Sequence, residues 1–121
     1  MTCVWGALSK ALHIKLKPDQ LFKHIKKKNT ITTDINWNGQ PLTQKLYKQN
    51  VKDIQSLSID DIKNKRGYQC SSCDPLFFLI AQIYKVSIIH EHNRHKLLYT
   101  NIKHPGKTIY LYSNDRHMWA Y

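Results

Sequence analysis

Glutamate occurs once in this chain, at Glu91, arginine three times, and cysteine stops at the odd number of three. A single glutamate among scattered aspartates offers no persuasive carboxylate pair, which sets glycosidase chemistry aside. There is no Gly-rich phosphate loop and no GxSxG elbow. Cys70 and Cys73 could pair, but a thiol would remain, so the cysteines argue against a disulfide framework and for a reducing, intracellular and cytoplasmic setting. Long apolar runs are missing too. The longest, Pro75 to Ala81, is far below the roughly 18 residues of a membrane span. Lys10, His13, Lys15 and Lys17 interrupt any signal-peptide core before it reaches length.

Lysine is what the chain has in plenty. Nineteen basic residues face eight acidic ones, for a net charge of +11, and this implies anionic partners or a place near nucleic acid or membrane surfaces. The lysines are spread along the chain, and only Lys23-His24-Ile25-Lys26-Lys27-Lys28 forms a dense run. With Trp37, Tyr47 and Tyr68 as stacking platforms, that run is the candidate nucleic-acid surface. Scarce arginine and the lack of a recognisable RNA-binding motif count against it, and Tyr99, Tyr110 and Tyr112 read as sheet residues. An apolar share of 41% suits a globular chain, and a single domain is expected over 1–121, alone or as a piece of a longer protein.

Helical spacing of Val4, Trp5, Leu8, Ala11 and Leu12 predicts a buried helix from Cys3 to Leu12. Pro18 and Asp19 open a second, with Leu21, Phe22 and Ile25 on one face. Thr30 to Gly39 is polar apart from Trp37 and ends in the turn signal Asn38-Gly39. Leu42, Leu46, Tyr47, Val51 and Ile54 mark an amphipathic helix, and Ser58-Ile59-Asp60-Asp61 begins a short one ended by Gly67. Asp74-Pro75 opens the most apolar helix, Leu76 to Tyr84, expected at the centre of the core. Strands follow at Val86–His90 and Lys96–Thr100, with Asn93-Arg94 as the hairpin tip, then at Thr108–Tyr112 and His117–Tyr121. Helices first and a small antiparallel sheet afterwards define an α+β class.

The two ends of the chain carry the chemistry. Cys3 stands one residue before an apolar helix, whose N-terminal partial charge stabilises a thiolate. His117 begins an aromatic strand after the turn Ser113-Asn114-Asp115, suited to act as base and then as acid. Cys3-Val4-Trp5-Gly6-Ala7-Leu8-Ser9 resembles the nucleophile motif of OTU-type (ovarian tumour) cysteine proteases, of the papain-like class. Asp74-Pro75-Leu76 to Tyr84 leading into Val86–Ile89 is similar to the central helix and strand of that family. Ile109-Tyr110-Leu111-Tyr112, a turn and His117-Met118-Trp119 resemble its final hairpin.

The similarity spans nearly the whole chain through short motifs. It implies Cys3 as nucleophile, His117 as general base and acid, and the backbone N–H groups of Cys3 and Val4 as oxyanion donors. The bond cut would follow a ubiquitin-like C-terminal tail, as in a deubiquitinase, or lie at a polyprotein junction, as in viral relatives acting in the host cytoplasm. There are two departures. The family usually places Asp-Gly-Asn before the cysteine, where Met1-Thr2 stand here, and an orienting Asn or Asp two residues after the histidine, where Trp119 stands. Asp115 or Asn114 could orient the ring instead, or the site is a dyad. Trp5 and Trp119 are expected to pack beside it.

A competing constellation is zinc. Cys70 and Cys73 have knuckle spacing, and His90 and His92, with His95 nearby, could supply imidazoles, although no second tight pair completes the pattern. No cofactor is expected for the protease. The remaining alternative is a basic nucleic-acid-binding or catalytically inactive interaction domain.

Overall fold

The computed structural model describes residues 4–15, 17–58, 70–114 and 116–121. The short helix expected from Ser58 to Gly67 lies, Ser58 apart, outside the described residues. Four helices are described: α1 (Val4–Leu12), α2 (Pro18–Lys27), α3 (Gln44–Ser56) and α4 (Cys70–Ile83). Their ends have local causes. Gln20 Oε1 accepts from the Lys17 N–H at 3.1 Å where Pro18 begins α2, and Thr43 Oγ1 accepts from the Leu46 N–H at 3.1 Å to cap α3. At the end of α1, His13 takes a positive φ of 55°. The Ile14 N–H then donates back to the Ser9 carbonyl and that of His13 to Lys10, a Schellman closure. Lys85, with φ 56°, and the Val86 N–H to Ala81 O bond close α4 in a similar way.

Proline misplaces one boundary. Asp74-Pro75 reads as a helix start, but α4 begins a turn earlier and runs through Pro75. So near the start of the helix the ring removes only one backbone donor, and the apolar packing of the next turns outweighs it.

Six strands form one sheet: β1 (Ile35–Trp37), β2 (Gln40–Pro41), β3 (Ser87–His92), β4 (His95–Asn101), β5 (Thr108–Ser113) and β6 (Met118–Trp119), in the order β2-β1-β4-β3-β5-β6. Asn38 and Gly39, and likewise Asn93 and Arg94, all have positive φ, the condition for the mirror-image turns whose twist suits a two-residue hairpin. The α+β class holds, but the expectation of an antiparallel sheet is corrected. β3 pairs antiparallel with β4 and parallel with β5. The hairpin already fills one side of β3, so the segment after Asn101 must cross the start of β3 and enter on its free side. There the Ser87 N–H donates to Lys107 O at 2.9 Å, and β5 sets off in the same direction as β3.

Among the described residues, α4 and the buried side of α1 pack on one face of the sheet. Leu76 through Ala81 of α4 are buried, with Phe77 and Phe78 set edge-on against Tyr99, Phe78 against Trp37 and Phe77 against His90. α1 packs on β5 and β6, and α2 lies against α1, where Trp5 meets Phe22 edge-on at 5.9 Å. The Tyr99 hydroxyl, buried, donates to Asp74 Oδ1 at 2.5 Å and fixes α4 on β4.

Asn101 is the buried polar hub. Its Nδ2 donates to Ala81 O at 3.0 Å, its Oδ1 accepts from the Lys103 and His104 N–H groups, and its own N–H donates to Ser87 Oγ. Replacing it by alanine strips partners from groups that are out of water, each costing about 1 kcal/mol or more. The Asn101→Ala variant is therefore expected to lose about 3 kcal/mol, read from its urea midpoint at unchanged m-value.

Candidate active site

Val4 is the first described residue of α1, and Cys3, whose own placement lies outside the described residues, precedes it by one peptide link. Val4 is buried, as are Trp5, Ala7, Leu8 and Leu12, so the helix is fixed over most of its length. Its C-terminal residues Ala11 and His13 share an open cleft with Thr108, Tyr110 and Tyr121, at the start of β5 and beyond the end of β6.

His117 stands at the other end of those strands, exposed, immediately before β6. The turn beneath it is built by Asn114. The Asn114 N–H donates to His117 O at 3.0 Å, and its Oδ1 accepts from the N–H groups of Arg116 and His117, both at 2.9 Å. That oxygen therefore shapes the backbone and is not the partner of the imidazole. Asp115, the other orienting candidate, lies outside the described residues. Trp5 and Trp119 both pack: Trp5 in the core, and Trp119 stacked on Tyr112 with ring centroids 6.3 Å apart.

Of the zinc candidates, His90 and His92 share one face of β3, and the side chain of Cys70 lies outside the described residues. Cys70 and Cys73 sit in the first turn of α4, and Cys73 is buried. Among the described residues no three His, Cys, Asp or Glu side chains are placed to hold a metal. The expected stacking surface is also corrected. Tyr47 is only 8% exposed, and Trp37 is turned against Phe78. Tyr68 lies outside the described residues. Lys26 of the basic run donates to Leu57 O at 2.6 Å and lies over the Phe22 ring, because α2 buries Leu21, Phe22 and Ile25 beside its lysines.

The two β3 histidines have another use. Alternate residues of one strand face the same way, so His90 and His92 both point to the helix-covered side, toward Ser113 on β5. His90 Nε2 and His92 Nδ1 each lie 2.7 Å from Ser113 Oγ, and Asn93 Nδ2 lies 3.3 Å from His92 Nε2. The Ser113 hydroxyl thus bridges the two imidazoles, donating to one ring and accepting from the other according to their tautomers. This cluster ends one residue before Asn114 and so anchors the turn that presents His117. It was not foreseen from sequence, where only the two-residue spacing of the histidines hinted at a shared face.

Compared with protein-family models, with curated proteins and with solved structures, the chain matches none.

Burial, and secondarily the nearby His92 charge, hold His90 at a pKa of about 4, below the ordinary 6.5. Between those values the unfolded chain takes up the proton and the folded one does not, so stability is complete above about pH 6.5 and falls as pH drops toward 4. We expect about 2 kcal/mol less stability at pH 5 than at pH 7.5 from this group, checked by urea unfolding at both pH values. A His90→Leu variant should show a smaller difference.

Proposed function

We propose that the chain is a cysteine peptidase acting through Cys3 and His117, an OTU-like isopeptidase that cuts after ubiquitin-like tails or at polyprotein junctions. One observation carries this reading: the helix that begins next to Cys3 packs on the two strands flanking the turn that presents His117. The C-terminal end of α1 lies by the start of β5, so a helix laid along these strands directs its first turn toward the β5–β6 turn. Cys3 is joined to Val4, the first residue of that helical turn, by a single peptide link.

The chemistry follows from those positions. The partial positive charge at the start of α1 and the His117 imidazolium favour the Cys3 thiolate. The thiolate sulfur attacks the scissile carbonyl carbon, and the oxyanion is held by the backbone N–H groups of Cys3 and Val4. His117 gives its proton to the departing amine, leaving a thioester. It then takes a proton from water, whose oxygen attacks the thioester and releases the acid and the thiolate. Asp115 is the candidate orienting residue, and without it Cys3 and His117 act as a dyad. In keeping with the odd number of cysteines and viral relatives of the resembled family, the proposed setting is the cytoplasm of a cell, a host cell for a viral protein.

The test is a ubiquitin carrying a C-terminal electrophile, scored by intact mass. Wild type should gain one adduct, and Cys3→Ala and His117→Ala should gain none. Alkylation of Cys3 by iodoacetamide against pH needs no matching tail. It should be half-maximal below about pH 7 and move toward about 8.5 in His117→Ala. A folded protein whose Cys3 titrates at the ordinary value in both forms is not a peptidase of this type, and the inactive interaction domain then stands.

A further inference from the structure

The side of the sheet away from the helices is clad in aromatic rings. Tyr110 and Tyr112 of β5 alternate with the buried Ile109 and Leu111, and Trp119 faces Tyr112 across the β5–β6 ladder. Tyr112 is stacked with Trp119 and meets Tyr121 edge-on at 5.1 Å. Tyr110 remains 52% exposed and Tyr121 86%. Phe77 and Phe78 of α4 and the buried side of α1 meet the other face, while the C-terminal end of α1, at Ala11 and His13, borders this one beside Tyr110 and Tyr121.

Two open clefts run beside these rings. One is lined by Ile89, Glu91 and Lys96, the other by His13, Lys107 and Tyr121, and both are walled by Tyr110 and Tyr112. The tyrosine pair is thus a ridge with a hollow on each side and a lysine at each hollow. The first cleft also holds an acid, Glu91, the cross-strand partner of Lys96.

We propose that this face binds single-stranded nucleic acid, with bases stacked on Tyr110, Tyr112 and Tyr121 and the backbone phosphates drawn to Lys96 and Lys107. Three features select that partner. Flat rings on an open sheet offer π-faces to unpaired bases and tolerate any base, whereas bases inside a duplex are already stacked. Lysines at both hollows on a chain of net charge +11 complement a polyanion. The same charge disfavours a second copy of the chain as the occupant. The lysine run of α2 lies on a different element and supplies at most a general field.

The inference is independent of the peptidase reading, because Cys3 takes no part in it. Fluorescence anisotropy of the whole chain with a labelled 12-nucleotide oligo-uridine, from 50 to 200 mM salt, tests it. Affinity should fall with salt, with a log–log slope of about −0.7 for each phosphate held. Tyr110→Ala combined with Tyr121→Ala should weaken binding about tenfold or more, and both changed to Phe should preserve it. Lys96→Gln should make the slope shallower by about 0.7, and Cys3→Ala should bind like wild type. Circular dichroism checks that each variant is folded; the two tyrosines are exposed, so their loss leaves the core intact. The proposal fails if the folded Tyr-to-Ala variant binds as tightly as wild type, or if Lys23→Gln with Lys27→Gln removes binding that the tyrosine changes leave untouched. It fails equally if the duplex binds as tightly as the single strand, or if sedimentation shows a dimer that the tyrosine changes dissociate.

Discussion

One buried amide sets the course of the chain in this fold. Asn101 sits where the C-terminal end of α4, the first residue of β3 and the segment leading to β5 come together, and it bonds to all three. A carboxamide can do this because it offers two donors and an acceptor with two lone pairs on one short, rigid side chain. Holding the Lys103 and His104 N–H groups turns the chain across the start of β3, and so β5 enters parallel to β3. The hairpin with His117 thereby reaches the sheet edge where α1 packs. The placement of the candidate active site depends on a residue that takes no part in its chemistry.

Short-range signals made much of this legible. Apolar spacing located α2 and α3 and put the middle of α4 in the core, while alternation located β3, β4 and β5 with their turns. What escaped depends on distant partners. β1 and β2 are too short to announce themselves, and their pairing is completed by β4 far along the chain, although Asn38-Gly39 is a strong hairpin signal. Parallel pairing of β3 with β5 is a matter of which side of a strand is vacant, and no residue of β5 encodes that. Cys3 and His117 were singled out by sequence order and setting, and the structure describes only the second of them. The use of His90 and His92 was not visible in the sequence, because it needs the register that brings Ser113 beside them.

The histidines divide sharply by environment. His90 is buried, held by Ser113 and biased to the neutral state, whereas His117 stands in water on a turn wholly bonded through Asn114. The base role proposed for His117 needs exchange of protons with substrate, whereas a structural imidazole needs to keep the one it has. The sheet makes a similar division between its two faces. On one side rings such as Phe77, Phe78 and Tyr99 lock edge to face into a core. On the other, Tyr112 and Trp119 stack on one another while Tyr110 and Tyr121 stand exposed.

The mixed sheet also implies an order of assembly. From α4 to β6 each strand meets neighbours close in sequence, so this half can close through short loops at little entropic cost. Joining β1 to β4 closes a much longer loop and gains only a three-residue strand with its two-residue hairpin partner. Folding should therefore nucleate on α4 and the β3–β4 hairpin. β1 and β2 then join late, and on unfolding they detach first, as a fraying flap on a persistent C-terminal half.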